Sequence, residues 1–368
     1  MSALSDKGGS APPSTAGADG TGRAPIPFHI VTGFLGAGKT TLINRLLRAP
    51  DLSDALVIVN EWGEIGLDNL LYERLSGDAI LINGGCVCCA LRGDLIDAVS
   101  DVLARRDAGA LPPFGLIVLE TTGLAEPAPM LHAVIADPEL AVRLALGGIT
   151  AVVDAVNGAA TVAARPESAR QIALADRLVV AKTDLLARGE RAARLAELGA
   201  ALRALNPVAP ILDGAAGELA AADFLAASSW PAFHTAPGAH GGAHRVKTFT
   251  FRSGEPIDPI AFAQFLSVLA SMLGPRLLRL KGLFGLADRP ETPILVDGVQ
   301  HVFHTPRTLP RWPDADHSTR AVLIVEGVAV REAETLWTAL TRAPRIDAPD
   351  LDVLLNNPLA PRPGGLLG

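Results

Sequence analysis

The chain has little cysteine, few aromatic side chains and no apolar run of membrane-spanning length. Only three of its 368 residues are cysteine, and 4% are aromatic. A helix crossing a bilayer needs ~20 apolar residues, so no membrane partner is expected. A basic block is missing too. The net charge is −7, which excludes the electrostatic footprint of a duplex-binding protein. The first residues, MSALSDKGGSAPPSTAG, carry no apolar segment after Lys7. No secretory leader is therefore expected, and the protein is expected to be cytoplasmic. A disulfide framework is also excluded. Cys86, Cys88 and Cys89 stand within four residues, where they cannot staple a fold but can hold a soft metal or do redox chemistry.

What is present has a clear rhythm. Residues 1–26 are small and polar, and read as a disordered tail. Short apolar runs follow at 28–33, 55–60, 79–82, 115–120, 149–154, 177–181 and 209–212. Segments with helical spacing lie between several of them, such as 39–48, 94–105 and 190–205. Continuous apolar strands alternating with helices predict an α/β fold with a doubly wound, mostly parallel sheet. This part spans 27–227. Residues 228–244, rich in Gly, Pro, Ala and His, read as a linker. Residues 245–345 predict a smaller α+β domain, with strands near 246–252, 277–281, 294–299 and 321–325 and helices near 259–273 and 331–341. The remainder, 346–368, is Pro- and Gly-rich and reads as a loose tail.

Three motifs carry chemistry. Gly33-Phe34-Leu35-Gly36-Ala37-Gly38-Lys39-Thr40 fits G-x-x-x-x-G-K-[ST], between a strand and a helix. A polyphosphate must meet a row of backbone N–H groups closely, so small residues line the loop. Lys39 reaches the β- and γ-phosphates, and the Thr40 hydroxyl suits Mg²⁺. Next, Leu116–Leu119 is an apolar strand ending in Glu120, an acid placed to hold Mg²⁺, with Gly123 placed to sense the γ-phosphate. Last, Lys182-Thr183-Asp184 follows the strand 177–181 and resembles the N-K-x-D guanine signature. An Asp carboxylate accepts from guanine N1–H and the 2-amino group, and adenine offers neither donor. Ala181 stands where that signature has Asn, so the tie from this loop to the phosphate loop is lost.

The cysteines lie in Asn83-Gly84-Gly85-Cys86-Val87-Cys88-Cys89, directly after a strand. Two glycines let the backbone turn so that several thiolates converge. Thiolates select Zn²⁺ or Cu⁺. C-x-C-C is not a zinc-finger spacing, and an incomplete ligand set suits an ion that is handed on. Glu61, in Asn60-Glu61-Trp62-Gly63-Glu64, is a candidate fourth ligand. Inert burial and a redox pair are the competing readings.

Taken together, GFLGAGKTTL (33–42), NEWGEIGLD (60–68), NGGCVCC (83–89), ETTGLAEP (120–127), QIALADRLVVAKTDL (171–185) and LNPVAPIL (205–212) resemble the CobW-type P-loop GTPases, as do LLRLKG (277–282) and VDGVQHVFH (296–304). The family's Phe is here Trp62. The resemblance implies a GTP-driven metallochaperone, and the sequence shows no general base or arginine finger, so slow intrinsic turnover is expected. Its nucleotide ligands would be Gly33, Gly36, Ala37, Gly38, Lys39, Thr40, Thr41, Gly123, Lys182 and Asp184, with Lys39, Thr40 and Glu120 serving catalysis. Zn²⁺, or Co²⁺ or another divalent ion, would sit on Cys86, Cys88, Cys89 and Glu61, and Mg²⁺ on Thr40 and Glu120. The implied partner is a client metalloprotein, not nucleic acid, and a homodimer stays open. Three alternatives remain at this point: a cobalt-handling GTPase of corrinoid synthesis, a nucleotide-regulated metal sensor or buffer, and a P-loop kinase with a thiol switch. Of eight histidines, His234, His240 and His244 fall in the linker and read as solvated, and His301 and His304 as ordinary residues of the last domain.

Overall fold

A computed structural model describes residues 24–52, 54–61, 79–83, 90–214, 238–241, 245–303 and 306–341. The chain divides into two compact units. The first comprises residues 1–158, 175–191 and 210–229, and the second 159–174, 192–209 and 230–368. Both predicted tails, at 1–26 and 346–368, lie mostly or wholly outside the described residues.

The first unit is built on seven strands: β1 (Ile26–Thr32), β2 (Ala55–Glu61), β3 (Ala79–Asn83), β4 (Leu116–Glu120), β5 (Leu144–Asp154), β6 (Arg177–Ala181) and β7 (Ile211–Asp213). Their order in the sheet is β3-β2-β4-β1-β5-β6-β7, and every neighbouring pair is parallel. All seven carboxyl ends therefore lie along one edge. The strands are apolar without alternation because both faces are covered. Every residue of β4 is buried. Helix α1 (Lys39–Leu46) packs Leu42, Ile43 and Leu46 against Val31, Val57, Val118 and Val152. Each such side chain, removed from water, contributes ~1.5–3 kcal/mol before ordering costs. Helices α2 (Ala90–Asp107), α3 (Pro127–Ala136) and α4 (Pro138–Arg143) complete this unit. Asp137 starts α4 by accepting from Glu139 N and Leu140 N.

The second unit holds an antiparallel sheet. Its strands are β8 (Gly238–Gly241), β9 (Val246–Ser253), β10 (Leu277–Leu286), β11 (Arg289–Val299), β12 (Val302–Phe303), β13 (Arg307–Thr308) and β14 (Thr319–Glu326). The order is β12-β11-β10-β14-β9-β8, with β13 against β11. One face packs Phe249, Leu280, Phe284, Val296 and Leu323 against the helices Pro259–Val268 and Val330–Thr341. Helix Pro259–Val268 begins at the Asp258 cap, with Pro259 in its first turn.

The other face mixes buried polar side chains, Thr248, Thr250, Arg279, Lys281 and Arg320, with buried Leu283, Val322 and Ile324. Arg279 pairs with Asp297 at 2.8 Å. Two short helices follow β5, α5 (Gly158–Ala164) and α6 (Pro166–Leu174), and Arg170 of α6 pairs with Glu326 at 2.9 Å. From α7 (Arg191–Leu205), the Leu205 carbonyl accepts from Thr248 Oγ1 at 3.0 Å.

Several elements differ from the sequence expectation: β5 and β11 begin five residues early, at Leu144 and Arg289, and β12 and β13 have no counterpart in it. The stretch read as linker contains β8, which pairs with β9 through backbone hydrogen bonds; small residues satisfy such bonds without any apolar signal. Strand β10 runs five residues past the expected 281, to 286. The helix expected over 259–273 widens into a π turn at Leu269–Leu273. Among the described residues, no helix is long and apolar enough to cross a membrane.

Candidate functional site

The site is assembled where β1, β4, β5 and β6 end. After Thr32 the chain turns through Gly33, Gly36 and Gly38, with φ of 143°, 71° and 102°. These values explain two of the glycines outright. A Cβ on Gly33 would stand 2.3 Å from the Val152 carbonyl oxygen, and Gly38 caps α1 in a left-handed conformation. Ala37 is buried beneath the turn. Lys39 is also buried, its Nζ donating to the Gly33 carbonyl at 3.0 Å and more weakly to Phe34 at 3.5 Å. Thr41 is exposed on α1.

Glu120 closes one side of this cradle. Its Oε1 accepts from Thr40 Oγ1 at 2.8 Å, although the two residues are 80 positions apart. Both are hard oxygen donors, the set that suits Mg²⁺. The end of β4 is tied to β1: Thr121 N donates to the Val31 carbonyl at 3.0 Å, and Thr121 Oγ1 to Thr32 Oγ1 at 3.0 Å. Gly123 then lies against the phosphate loop, where a Cβ would meet Leu35 backbone atoms at 2.6 Å.

On the far side, β6 delivers Lys182, Thr183 and Asp184. Lys182 is left-handed at φ 60°. Its Nζ donates to the Gly36 carbonyl at 2.6 Å and to Asp154 Oδ2 at 2.8 Å. Thr183 is buried and donates to Asp213 Oδ1 at 2.8 Å, with Arg191 bonded to both. Asp184 is exposed at the tip. Asp154, Thr121 and Asp213 are absent from the sequence-predicted set, because their partners lie 28 to 89 residues away.

Of the cysteine segment 83–89, Asn83 alone is among the described residues. Glu61 ends β2 and is in register with Asn83, the last residue of β3. The strands leading into both candidate metal segments are thus adjacent, on the same sheet edge as the phosphate loop. Cys86, Cys88, Cys89 and Trp62 lie outside the described residues, as do His234, His244 and His304. Among the described residues, no group of three or more His, Cys, Asp or Glu could hold a metal ion.

A glycine loop that opens a helix, an acid at the neighbouring strand end and a Lys-Thr-Asp turn on a parallel sheet define a P-loop nucleotide-binding protein. The chain belongs to the CobW/HypB/UreG family: residues 27–213 match its nucleotide-binding domain, and residues 246–341 match the cobalamin synthesis protein CobW C-terminal domain. It is 28% identical over 320 residues to zinc chaperone YjiA of Escherichia coli, covering 84% of this chain and 96% of that one. It is 37% identical over 158 residues to zinc chaperone CobW of Pseudomonas aeruginosa, 40% of each chain. The crystal structure of Zn(II)-bound YjiA GTPase from E. coli shares the fold, with a TM-score of 0.66 at 24% identity over 86% of this chain and 99% of that one.

Proposed function

We propose that this protein is a GTP-hydrolysing metallochaperone, which takes up Zn²⁺ and transfers it to a client metalloprotein. The observation carrying this reading is the strand order. It lines up the Glu61/Asn83 pair, the Glu120–Thr40 pair, the phosphate loop and the Lys182–Asp184 turn along one carboxyl edge. Relatives named zinc chaperones support the choice of metal and of role.

In this reading GTP lies on the loop Gly33–Thr40, with its phosphates toward the Lys39 ammonium and the N-terminus of α1. Asp184 reads the guanine. Thr40 and Glu120 hold Mg²⁺, which offsets phosphate charge. Catalysis is positioning plus charge stabilisation, consuming GTP and water and yielding GDP and phosphate. No side chain among those placed in the site is a general base, so unaided turnover is slow. Cys86, Cys88 and Cys89, with Glu61, hold the zinc cargo as thiolates.

The test is an anaerobic titration of the reduced full chain with Zn²⁺, Co²⁺ and Ni²⁺. Cys88→Ala and Cys89→Ala are expected to lower Zn²⁺ affinity at least tenfold, one ligand's loss being worth more than ~1.4 kcal/mol, while the far-UV spectrum is kept. Unaltered affinity in both variants would remove the cysteines from the cargo site.

A further inference from the structure

The guanine turn lacks the asparagine that would tie it to the phosphate loop, and a different connection stands in its place. Ala181 faces Gly38, with only 3.5 Å from its Cβ to the position a Gly38 Cβ would take, and an alanine there forms no side-chain hydrogen bond. One residue on, Lys182 adopts φ 60°, a conformation that costs a non-glycine residue ~1–2 kcal/mol. Its ammonium is held at both ends of a bridge, 2.6 Å from the Gly36 carbonyl and 2.8 Å from Asp154 Oδ2.

Asp154 is itself fixed. Its Oδ1 accepts from Val156 N at 2.7 Å and Asn157 N at 3.3 Å, and its Oδ2 from Asn157 Nδ2 at 3.3 Å. Burial works to raise its carboxyl, but the hydrogen bonds from Lys182, Val156 and Asn157 overcome this and hold it below the ordinary carboxylate range. It stays ionised opposite the lysine.

We infer that Asp154 is a positioning residue for the nucleotide: by clamping Lys182 onto Gly36, it performs the fastening that Ala181 cannot. The inference rests on the guanine-nucleotide reading of the site. Asp154 touches neither base nor phosphate in this scheme. It sets the distance between the turn carrying Asp184 and the loop carrying Lys39, and so the span a guanosine phosphate must match. A pair with one partner mostly buried and both bonds charge-assisted is worth more than an exposed ion pair.

The experiment titrates the full chain with methylanthraniloyl-GDP and methylanthraniloyl-ADP. Wild type is compared with Asp154→Asn, Lys182→Met and the double variant. Asparagine retains an oxygen for the Val156 and Asn157 amides but lacks the charge; methionine retains an unbranched stem of similar length but lacks the ammonium. Each single variant is expected to weaken the GDP probe roughly tenfold, and the double variant no further than the weaker single. In turnover assays, KM for GTP rises while kcat stays within about twofold, the signature of lost uniform binding. A merely structural role would instead lower the melting temperature without nucleotide and leave that split absent.

If wild type binds the ADP probe as tightly as the GDP probe, the guanine reading falls. If wild type discriminates but Asp154→Asn binds like wild type, or if the two single losses multiply in the double variant, the role of Asp154 alone is overturned. Should Asp154→Asn not fold, unchanged GDP affinity in Lys182→Met overturns it equally.

Discussion

At the residue scale, Gly123 is held directly against the backbone of the phosphate loop. Any Cβ there would stand 2.6 Å from the Leu35 backbone nitrogen and Cα, and backbone cannot step aside as the end of a flexible side chain can. Gly123→Ala must therefore push the end of β4 off the phosphate loop. The strain would fall on the Thr40–Glu120 bond and on the ties from Thr121 to β1. The expected result is a loss of ~1–3 kcal/mol of stability, as for other overpacked sites, with nucleotide affinity lowered at least tenfold. Gly93→Ala is the matched control. It lies in α2 with nothing near its Cβ position, and should gain ~0.5–1 kcal/mol from helix propensity without altering nucleotide binding. Urea melts and nucleotide titrations of both variants check the pair. Wild-type affinity in Gly123→Ala would show that the loop accommodates the methyl group.

At the element scale, β1 carries a titratable group that burial holds neutral. His29 sits mid-strand, opposite Val118 on one side and Gly148 on the other. Its ring fills the space a Cβ on Gly147 would need, 2.0 Å from Nε2. Burial, reinforced by the charge of Arg177 and partly opposed by Asp176, lowers its pKa from 6.5 to about 4. The unfolded chain takes up a proton near pH 6.5, whereas the native strand resists until about pH 4. Between these values the unfolded state binds more protons, so stability is full above 6.5 and falls as the pH drops. The contribution is ~3 kcal/mol over the whole window. Urea midpoints at pH 7 and pH 4.5 should diverge in wild type and draw together in His29→Gln; equal divergence in both would assign the acid sensitivity elsewhere. Elements of this kind were largely legible beforehand. Each strand of the first sheet contains an apolar run, because a parallel sheet covered on both faces has little polar side to interrupt it, although the first five residues of β5 lie outside its run. The phosphate loop was legible because its spacing is fixed by backbone geometry. Strand β8 was not, since an edge strand of small residues is held by main-chain bonds alone. Nor were the buried Arg279 and Lys281, because a charged pair on a covered sheet face looks in sequence like an exposed one. Asp154 and Asp213 escaped for a third reason: their work depends on contacts that only the order β1-β5-β6-β7 creates.

At the scale of the whole molecule, the strand order sets what can influence what. The order β3-β2-β4-β1 places the strand ends that lead to the cysteine and Glu61 segments on one flank of the phosphate loop. The continuation β5-β6-β7 places the Lys182–Asp184 turn on the other. Between the ends of β2 and β1 stands the end of β4, with Glu120 bonded to Thr40 and Gly123 packed on Leu35. In the proposed reading a γ-phosphate engages Thr40 and Gly123 and alters those contacts, and β2 is the next strand along. If zinc binding at the thiolates biases the same segment, the two affinities are coupled, and the coupling is reciprocal: the factor by which a non-hydrolysable GTP analogue changes Zn²⁺ affinity equals the factor by which Zn²⁺ changes affinity for the analogue. Couplings of this kind usually span ~1–3 kcal/mol, or 5- to 150-fold. Calorimetric Zn²⁺ titrations of the GTP-analogue, GDP and nucleotide-free forms are expected to differ by at least fivefold. The difference should shrink in Gly123→Ala, where the intervening segment is already displaced. Identical zinc affinities in all three forms would leave the protein a zinc binder and a nucleotide binder with nothing joining the two, and hydrolysis could then not drive release to a client.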